Sequence, residues 1–269
     1  MKEIDKEQVI EALQDLGLRP GDGVLIHSAI QFLGRTDAGP GLYLEALCTV
    51  LDIPFPLQPN STLESRSSIG TLAVPTFNFA FARGEPYDPL NTPSQKMGVF
   101  SEYVRQQPGV LRTNHPLQSL AMLGRWAADL AERDTPSTFD PGGPFDRMLE
   151  LDFKILLLGA DIDAISLIHY SEQRVNVPYR YWKEFTGAVL TPKGWQMRTY
   201  SMFARDMDLD PHLTLHPVQK VLQARGLWHA VPLNYGQVSL VRMRDLVSAV
   251  DEFLSADPYS LMLNRPQVN

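Results

Sequence analysis

The amino-acid sequence has 269 residues, of which 44% are hydrophobic, and a formal net charge of −7. This acidic balance, with no basic stripe interleaved with aromatics, argues against a nucleic-acid partner, whereas a cationic small molecule is compatible with it. No run approaches the roughly 18 apolar residues of a membrane span, and the polar N-terminus lacks the apolar core of a secretory signal. We therefore expect a cytoplasmic protein without a membrane partner.

The cysteine content and the composition along the chain limit the possible disulfides, metal sites and domain divisions. The single cysteine, Cys48, excludes an internal disulfide and a cysteine-rich zinc site. It falls on the apolar stripe of a predicted helix, where a small buried hydrophobe is the usual role, and a cysteine nucleophile is the alternative. No linker rich in serine and glycine and no block of charge divides the sequence, so we predict one domain over residues 1–269.

Apolar periodicity, punctuated by glycine and proline, predicts alternating helices and strands. In the first half of the chain the predicted elements are a helix over 5–17, a strand over 23–26, a helix over 41–51, a strand over 70–77, a helix over 100–106, a strand over 120–124 and a helix over 125–133. In the second half they are a strand over 154–159, a helix from 164, a hairpin over 184–200, a helix over 216–225, a strand over 238–242 and a helix over 244–255. Strands that alternate with helices are typical of an α/β fold, and we predict a mixed central sheet flanked by helices.

Two predicted loops in the first half of the chain have distinctive residues. The strand over 23–26 is predicted to deliver His27, Ser28 and Ala29 to a loop. Residues 52–68 are rich in proline, serine and glutamine, which is typical of a surface insertion rather than a core element.

A histidine and a glutamate lie three residues apart after the apolar run 154–159. On a helix that begins near Ala164, His169 and Glu172 are neighbours on one face. A carboxylate beside an imidazole fixes its tautomer and stabilises the imidazolium that forms when it takes a proton. The pair therefore has the composition of a general base and its orienting group. A buried histidine with satisfied hydrogen bonds is the alternative that these residues alone leave open.

Several familiar sites are excluded by inspection. The sequence has no Gly-x-Ser-x-Gly elbow, no His-Glu-x-x-His, no Walker loop and no dinucleotide fingerprint, which removes support for hydrolase, zincin, NTPase and Rossmann functions. Asp206, Asp208 and Asp210 precede His212 and His216, but no convincing third ligand accompanies the histidines. We predict a solvated acidic loop there and no metal.

A series of short motifs runs through roughly residues 10–187. The motifs are Leu16-Gly17-Leu18 with Gly21-Asp22, His27-Ser28, Gly70-Thr71-Leu72 with Pro75-Thr76-Phe77, Asp88-Pro89 with Thr92-Pro93-Ser94 and Met97-Gly98, Arg112-Thr113-Asn114-His115-Pro116 with Ser119 and Gly124, Asp140-Pro141-Gly142 with Pro144, His169 to Glu172, and Val177-Pro178-Tyr179-Arg180. In order and spacing the series resembles the aminoglycoside 3-N-acetyltransferase family. The resemblance implies the fold of that family and a CoA-dependent N-acyltransferase whose donor and amine acceptor meet in a cleft.

The resemblance also implies roles for donor-side residues, with acetyl-CoA or another short acyl-CoA as the co-substrate and His169 and Glu172 as the catalytic pair. Ser28, with the backbone around His27 and Ala29, is expected to meet the CoA pyrophosphate, and Thr71 or a neighbouring amide is the candidate donor to the oxyanion. His115 and Ser119 are expected in the donor cleft.

The acceptor is expected to be a primary amine of an amino sugar, either the 3-amino group of an aminoglycoside or a nucleotide-linked 3-amino sugar, acylated by direct transfer. Tyr87, Asp88 and Arg180 are the acceptor-side candidates, and pairing of Arg180 with a carboxylate or a CoA phosphate is left open. Residues 77–88 hold only Glu85 and Asp88 as acids, which weakens the case for a polycationic aminoglycoside.

Two other functions are left open by the sequence. One is a CoA-binding protein that does not turn over, and the other is an acyltransferase that uses Cys48 as its nucleophile. The sequence does not determine the oligomeric state, and a homodimer is compatible with it.

Overall fold

A computed structural model describes residues 3–56 and 69–265, in which seven strands form one mixed sheet and two longer strands form a separate hairpin. The strands are β1 (Gly23–Ser28), β2 (Thr71–Pro75), β3 (Leu111–Arg112), β4 (Leu120–Gly124), β5 (Lys154–Leu158), β6 (Arg180–Thr191), β7 (Gly194–Arg205), β8 (His229–Leu233) and β9 (Gly236–Arg242). The α-helices are α1 (Lys6–Asp15), α2 (Pro40–Val50), α3 (Gly98–Arg105), α4 (Ala127–Ala131), α5 (Pro144–Glu150), α6 (Ile168–Val175), α7 (His216–Ala224) and α8 (Met243–Ala256).

The sheet has the strand order β3-β4-β2-β1-β5-β9-β8. The central strand β1 is parallel to β2 on one side and to β5 on the other, with Leu25 opposite Ala73 and Ile155. The outer pairs β2–β4, β3–β4, β5–β9 and β8–β9 are antiparallel. The predicted mixed sheet flanked by helices is thus confirmed.

Apolar residues alternate between the two faces of the sheet, so that neighbouring residues of one strand enter different cores. Leu25 and Ile155 belong to the core that is covered by α4, α5, α7 and α8. Ile26 and Leu156 belong to the core that is covered by α1, α2 and α3. Burial of both faces explains why the central strands are continuous apolar runs.

The parallel strands β1, β2 and β5 end at the same edge of the sheet. Ser28, Pro75 and Leu158 are their last residues. The chain passes from β1 to β2 on one side of β1 and later enters β5 on the other side, which leaves a crevice at this carboxyl edge. Open α/β sheets bind their ligands at such a place.

The predicted end of β1 and the predicted start of α6 are wrong. The strand predicted over 23–26 continues to Ser28, because its last residues pair with β5, and therefore His27 and Ser28 lie in the sheet instead of a loop. The helix predicted from near Ala164 begins at Ile168. The carboxylate of Asp161 accepts a hydrogen bond from a backbone amide and closes a short 3₁₀ turn, after which the extended Ile165 (ψ 111°) interrupts the helix.

The hairpin β6–β7 begins four residues earlier than the pattern predicts and pairs 12 residues of each strand. Its inner side contributes Val189 and Tyr200 to a small core with Phe81 and Tyr87. The earlier start makes Arg180 the first residue of β6, next to α6.

Parts of the chain were not predicted or lie outside the described residues. Neither α5 nor the strands β3 and β8 were predicted. Of the predicted insertion over 52–68, residues 57–68 lie outside the described residues. The extent of one domain over 1–269 stays a prediction. Among the described helices, none combines the length and apolar character needed to cross a membrane.

Gly124 ends β4 at a position that disfavours any other residue, because its backbone has positive φ and no space is left for a side chain. Its φ is +115°, and an added Cβ would lie 2.2 Å from the carbonyl oxygen of Gly70. Gly194 also has positive φ, at +92°, but an added Cβ would have no neighbour within 4 Å. We expect Gly124→Ala to lower the free energy of unfolding by about 3–5 kcal/mol and Gly194→Ala by only about 1–2 kcal/mol, measured by urea unfolding. Equal losses in the two variants would contradict the role of the contact with Gly70.

Candidate active site

Helix α6 carries the predicted histidine and glutamate directly behind the carboxyl edge of the sheet. Ile168 and Tyr170 are buried in the core, which fixes the rotation of the helix. The helix ends at Asn176, whose left-handed backbone (φ 57°, ψ 56°) is tolerated by a short polar side chain. His169 and Glu172 then occupy one turn, as predicted.

The His169 imidazole and the Glu172 carboxylate are in direct contact. Nδ1 of His169 lies 2.5 Å from Oε2 of Glu172. The Glu172 side chain is fully buried, whereas that of His169 is 31% exposed. The Phe139 ring and the imidazole form a T-shaped pair, with ring centroids 6.0 Å apart. Because a carboxylate only accepts hydrogen bonds, a contact this short requires a proton on Nδ1, and in the neutral imidazole Nε2 then keeps a free lone pair.

Arg180 completes this cluster from the first position of β6. Its Nε lies 2.9 Å from Oε2 of Glu172 and its Nη2 lies 3.1 Å from Nδ1 of His169. Its Nη1 donates to the carbonyl oxygen of Phe203 at 3.2 Å. The guanidinium, which the sequence prediction assigned to the acceptor side, is therefore directed at the catalytic candidates themselves.

Opposing effects set the ionisation of Glu172. Burial raises the pKa of this carboxyl, but His169 and Arg180 together lower it by more, so the pKa lies below its ordinary value and the group is ionised at neutral pH. The neighbouring Tyr179 phenol responds in the opposite direction, because burial and the Glu172 charge raise its pKa.

A cleft of about 320 Å³ lies at the carboxyl edge of the sheet and includes His169 in its wall. Such a volume and a mostly apolar lining are typical of small-ligand sites. Its polar residues are His27, Asp163, Ser166 and His169. Its other lining residues are Pro75, Phe77, Phe79, Met97, Ala164, Ile165, Ile168, Leu213 and Leu215.

Of the three residues predicted at the CoA pyrophosphate, only His27 lines this cleft. Burial lowers the pKa of His27 to about 4, so its imidazole is neutral at pH 7. The amide of Ala29 donates to the carbonyl oxygen of Leu158 at 2.9 Å and is not available to an anion. Ser28 ends β1 and forms a bridge with Gly159.

Thr71, the candidate oxyanion donor, is not brought to the cleft. It begins β2, whereas Pro75 at the other end of the strand lines the cleft, a separation of roughly 13 Å for four strand residues. Its amide donates to the carbonyl oxygen of Asp22, and its hydroxyl oxygen accepts from the amide of Trp126, both at 2.9 Å. Its polar groups hold neighbouring chain segments together.

His115 and Ser119 are buried and are not among the residues that line the cleft. Nδ1 of His115 accepts from the amide of Gln118 at 3.1 Å. The hydroxyl of Ser119 donates to the carbonyl oxygen of Thr76 at 2.9 Å and accepts from Nε of Arg112 at 3.0 Å. Both residues serve internal hydrogen bonds.

The acceptor-side candidates Tyr87 and Asp88 are also not among the lining residues. The Tyr87 hydroxyl donates to the carbonyl oxygen of Thr113 at 3.0 Å, and its buried ring stacks under the guanidinium of Arg112. The Asp88 carboxylate accepts from the amides of Leu90 and Asn91 and closes a turn. The structure brings together His27, His169, Glu172 and Arg180 and leaves the other predicted residues outside this group.

Several cleft residues were not predicted as site residues. Met97 belongs to a motif that carries the family resemblance, which was the available signal, whereas Ser166 lies three residues before the His169 motif and is not part of it. The hydroxyl of Ser166 has no hydrogen-bond partner among the described residues. Phe79, Leu213 and Leu215 come from loops whose apolar residues give no periodic signal, so nothing in the sequence marks them.

The acidic residues near α7 form two groups. Asp210 contacts Arg205 at 3.2 Å and His212 at 3.3 Å, in the segment predicted as a solvated acidic loop. Within residues 3–56 and 69–265, ligand atoms of Asp161, Asp163 and His216 lie within 4.8 Å of one another, and all three are exposed. The absence of a metal stays a prediction.

Comparison with known proteins identifies the family. A family model described as aminoglycoside 3-N-acetyltransferase matches residues 25–255. The chain belongs to the aminoglycoside 3-N-acetyltransferase family. Aminoglycoside N(3)-acetyltransferase IV from Salmonella sp is 27% identical over 264 residues, which cover 97% of this chain and 91% of that protein. Aminoglycoside N(3)-acetyltransferase III from Salmonella sp is 24% identical over 192 residues, covering 70% of this chain and 67% of that protein.

Solved structures agree with this membership. The apoenzyme of aminoglycoside acetyltransferase AAC(3)-IVa superposes with a TM-score of 0.76 at 26% identity, covering 99% of this acetyltransferase and 93% of that chain. AAC-IIIb in a binary complex with CoASH superposes with a TM-score of 0.77 at 23% identity, covering 94% and 97%, and supports the fold. The prediction of an N-acetyltransferase enzyme is confirmed.

Burial of His115 makes the stability of this acetyltransferase depend on pH. Burial lowers the pKa of His115 to about 4, whereas an exposed histidine titrates near 6.5. Between pH 6.5 and 4 the unfolded chain binds a proton that the folded protein does not, so stability falls as pH falls through this window and is unaffected above it. We expect His115→Gln to remove roughly 2.5 kcal/mol of that fall, measured by urea unfolding from pH 7 to pH 4.5.

The exposed His229 supplies the control, since His229→Gln should leave the pH dependence as in the wild type. His27 contributes to the same window, so part of the fall remains in His115→Gln. An unchanged slope in that variant would show that His115 takes up its proton in the folded state.

Proposed function

We propose that the protein transfers an acetyl or other short acyl group from acyl-CoA to a primary amine of an amino sugar, with His169 as the general base. The observation that carries the proposal is the contact of 2.5 Å between His169 Nδ1 and the buried Glu172, at the wall of the cleft. The contact leaves Nε2 as the basic nitrogen of an imidazole that is partly exposed. A base in this state can take a proton from a bound amine.

The chemistry requires one proton acceptor and one balancing charge. The amine nitrogen attacks the thioester carbonyl carbon, the carbon–sulfur bond breaks, and CoA leaves as the thiol. The proton lost by the amine passes to Nε2 of His169 and from there to the departing sulfur. Glu172 remains ionised and stabilises the imidazolium that forms between these steps, as the carboxylate does in a catalytic triad. No covalent acyl-enzyme is needed.

Relatives support the two substrates by their names. AAC-IIIb is described as binary with CoASH. A variant of AAC(3)-IVa with one histidine changed to alanine is described in complex with a gentamicin and with apramycin, and AAC-VIa is described with bound sisomicin. These names support acyl-CoA as the donor and the 3-amino group of an aminoglycoside as the first acceptor candidate.

The charge around the cleft supports a second acceptor candidate. Among the cleft-lining residues that the structure describes, Asp163 is the carboxylate. Glu85, one of the two acids in the 77–88 segment, is exposed and pairs with Arg83 at 3.6 Å. A polycation gains most from several carboxylates. A nucleotide-linked 3-amino sugar, which carries one ammonium and a diphosphate, is therefore the second candidate.

The alternative nucleophile, Cys48, is not supported by its surroundings. It lies on α2 in the core on the other face of the sheet from His169. Burial, with a smaller contribution from the charge of Glu45, raises the pKa of the Cys48 thiol to about 12, so the reactive thiolate is scarce at neutral pH. A CoA-binding protein without turnover, the other alternative, is not supported, because the chain belongs to a family of N-acetyltransferases.

An acceptor panel tests the proposal. Purified protein is incubated with acetyl-CoA and either an aminoglycoside, a nucleotide-linked 3-amino sugar or a simple primary amine, and release of free CoA thiol is followed. We expect thiol release with at least one amino sugar and acetylation of its 3-amino group, identified by mass spectrometry and NMR. Stabilisation of the protein by CoA without thiol release in any arm would instead support a binding protein.

Two variants test the catalytic pair. We expect His169→Ala and Glu172→Gln to lower kcat by about 10²–10⁴-fold, because the general base or the charge that supports it is lost. Cys48→Ala is the matched control and should retain wild-type kcat. A kcat within about threefold of wild type in His169→Ala would make the pair structural, and loss of activity in Cys48→Ala would favour the thiol mechanism.

A further inference from the structure

The guanidinium of Arg180 contacts both members of the catalytic pair. Its Nε lies 2.9 Å from Oε2 of Glu172, and its Nη2 lies 3.1 Å from Nδ1 of His169. The Arg180 side chain is only 11% exposed, and its Nη1 donates to the carbonyl oxygen of Phe203 on the neighbouring strand. We call these three side chains the Arg180–Glu172–His169 cluster.

The positions of the protons in the cluster determine whether Arg180 forms a hydrogen bond with the imidazole or acts on it only through its charge. Oε2 of Glu172 faces both Nδ1–H of His169 and the guanidinium. Since Nδ1 already carries a proton, it cannot accept a hydrogen bond from Nη2, and the approach at 3.1 Å places a positive charge beside an N–H group. The effect of Arg180 on His169 is therefore electrostatic repulsion of a second proton, whereas its effect on Glu172 is the attraction of a close, buried ion pair.

Among the residues that the structure describes around the cluster, Arg180 is the arginine or lysine that acts on Glu172. Tyr179 precedes Arg180 in the chain, and its ring packs on Tyr259 from the C-terminal segment. His27 and Asp163 share the cleft with His169. On α6 itself, Arg174 is paired with Asp251 at 3.1 Å and is half-exposed.

We propose that Arg180 is a positioning residue that holds the Glu172 carboxylate on His169 and opposes the addition of a second proton to the imidazole. Glu172 alone, buried beside an imidazole, would favour the imidazolium, and an imidazolium cannot act as a base. The cation of Arg180 opposes that protonation in the resting enzyme. When the acceptor amine gives its proton to His169, the ionised Glu172 still stabilises the imidazolium that forms. This inference rests on His169 being the base of the proposed function.

Titration of the free protein tests the charge effect without any substrate. The His169 imidazole signal is followed by NMR in protein labelled at histidine and is assigned by its loss in His169→Gln. A unit charge about 4 Å away shifts a titration by roughly three pH units at an effective dielectric of about 20, and partial exposure reduces the shift. We expect Arg180→Met to raise the midpoint by about one unit, Arg180→Lys to keep it within about half a unit, and Arg205→Met to leave it unchanged.

Arg205 is a matched control because it is the cross-strand partner of Arg180, is half-exposed and pairs with Asp210 away from the cluster. An unshifted midpoint in a folded Arg180→Met variant would overturn the proposal. If this variant does not fold, Arg180→Lys decides, because a lysine keeps the charge but not the fork: kcat lowered about threefold to tenfold supports positioning, and wild-type kcat overturns it.

Kinetics separate this role from substrate binding, the role that the sequence prediction gave Arg180. At pH 7 we expect Arg180→Met to lower kcat at least tenfold with KM for both substrates within threefold, and part of the loss should be recovered at higher pH as the imidazole loses its proton. A raised acceptor KM with unchanged kcat would instead make Arg180 a binding residue. If the wild type acetylates no amine, the proposed function fails, while the NMR titration still decides the effect of Arg180 on His169.

Discussion

The structure around the active site depends on one buried charge, the carboxylate of Glu172. An ion removed from water is tolerated only where a counter-charge and hydrogen bonds replace its hydration. Here the replacement comes from His169 on the same helical turn and from Arg180 on another element. Helix α6 and the hairpin must therefore lie side by side. The Arg180 guanidinium joins them through its contacts with Glu172 and His169, and its bond to Phe203 of β7 holds it within the hairpin. The same contacts that make burial of Glu172 tolerable also orient the imidazole.

The cleft owes its position to the parallel strands, and its walls owe their shape to a second buried polar group. The guanidinium of Arg112 donates to the carbonyl oxygens of Thr76 and Thr92 and to the hydroxyl of Ser119. These bonds tie the segment after β2 to the loop that follows it, and the amide of Gln95 donates to Phe77 in the same region. Phe77 is thus held where it lines the cleft. Residues of the family-like motifs that do not contact the catalytic pair can therefore still determine the shape of the cleft, because their hydrogen bonds hold its lining residues in place.

How much of the site the sequence predicts depends on how local the contact is. His169 and Glu172 are neighbours because helix geometry places residues three apart together, so their pairing follows from the sequence alone. Arg180 is eight residues beyond Glu172 and reaches it only because the hairpin starts at Arg180, a boundary that alternation of side chains did not reveal. Thr71 shows the converse error. The motif lies in the predicted strand, but the strand direction places Thr71 at the edge opposite the cleft.

The fold was predicted where burial imposes a pattern and missed where a few polar contacts decide. The strands β1, β2, β4 and β5 are buried on both faces, so apolar runs mark them. The start of α6 was misplaced because the Asp161 cap favours a separate short turn, a choice that side-chain periodicity does not register. This turn has a functional consequence, since it puts Asp163 and Ser166 on the cleft wall ahead of His169. The interruption of the helix therefore adds two polar side chains to the cleft wall beside the base. A continuous helix would have presented only the residues of one helical face to the cleft.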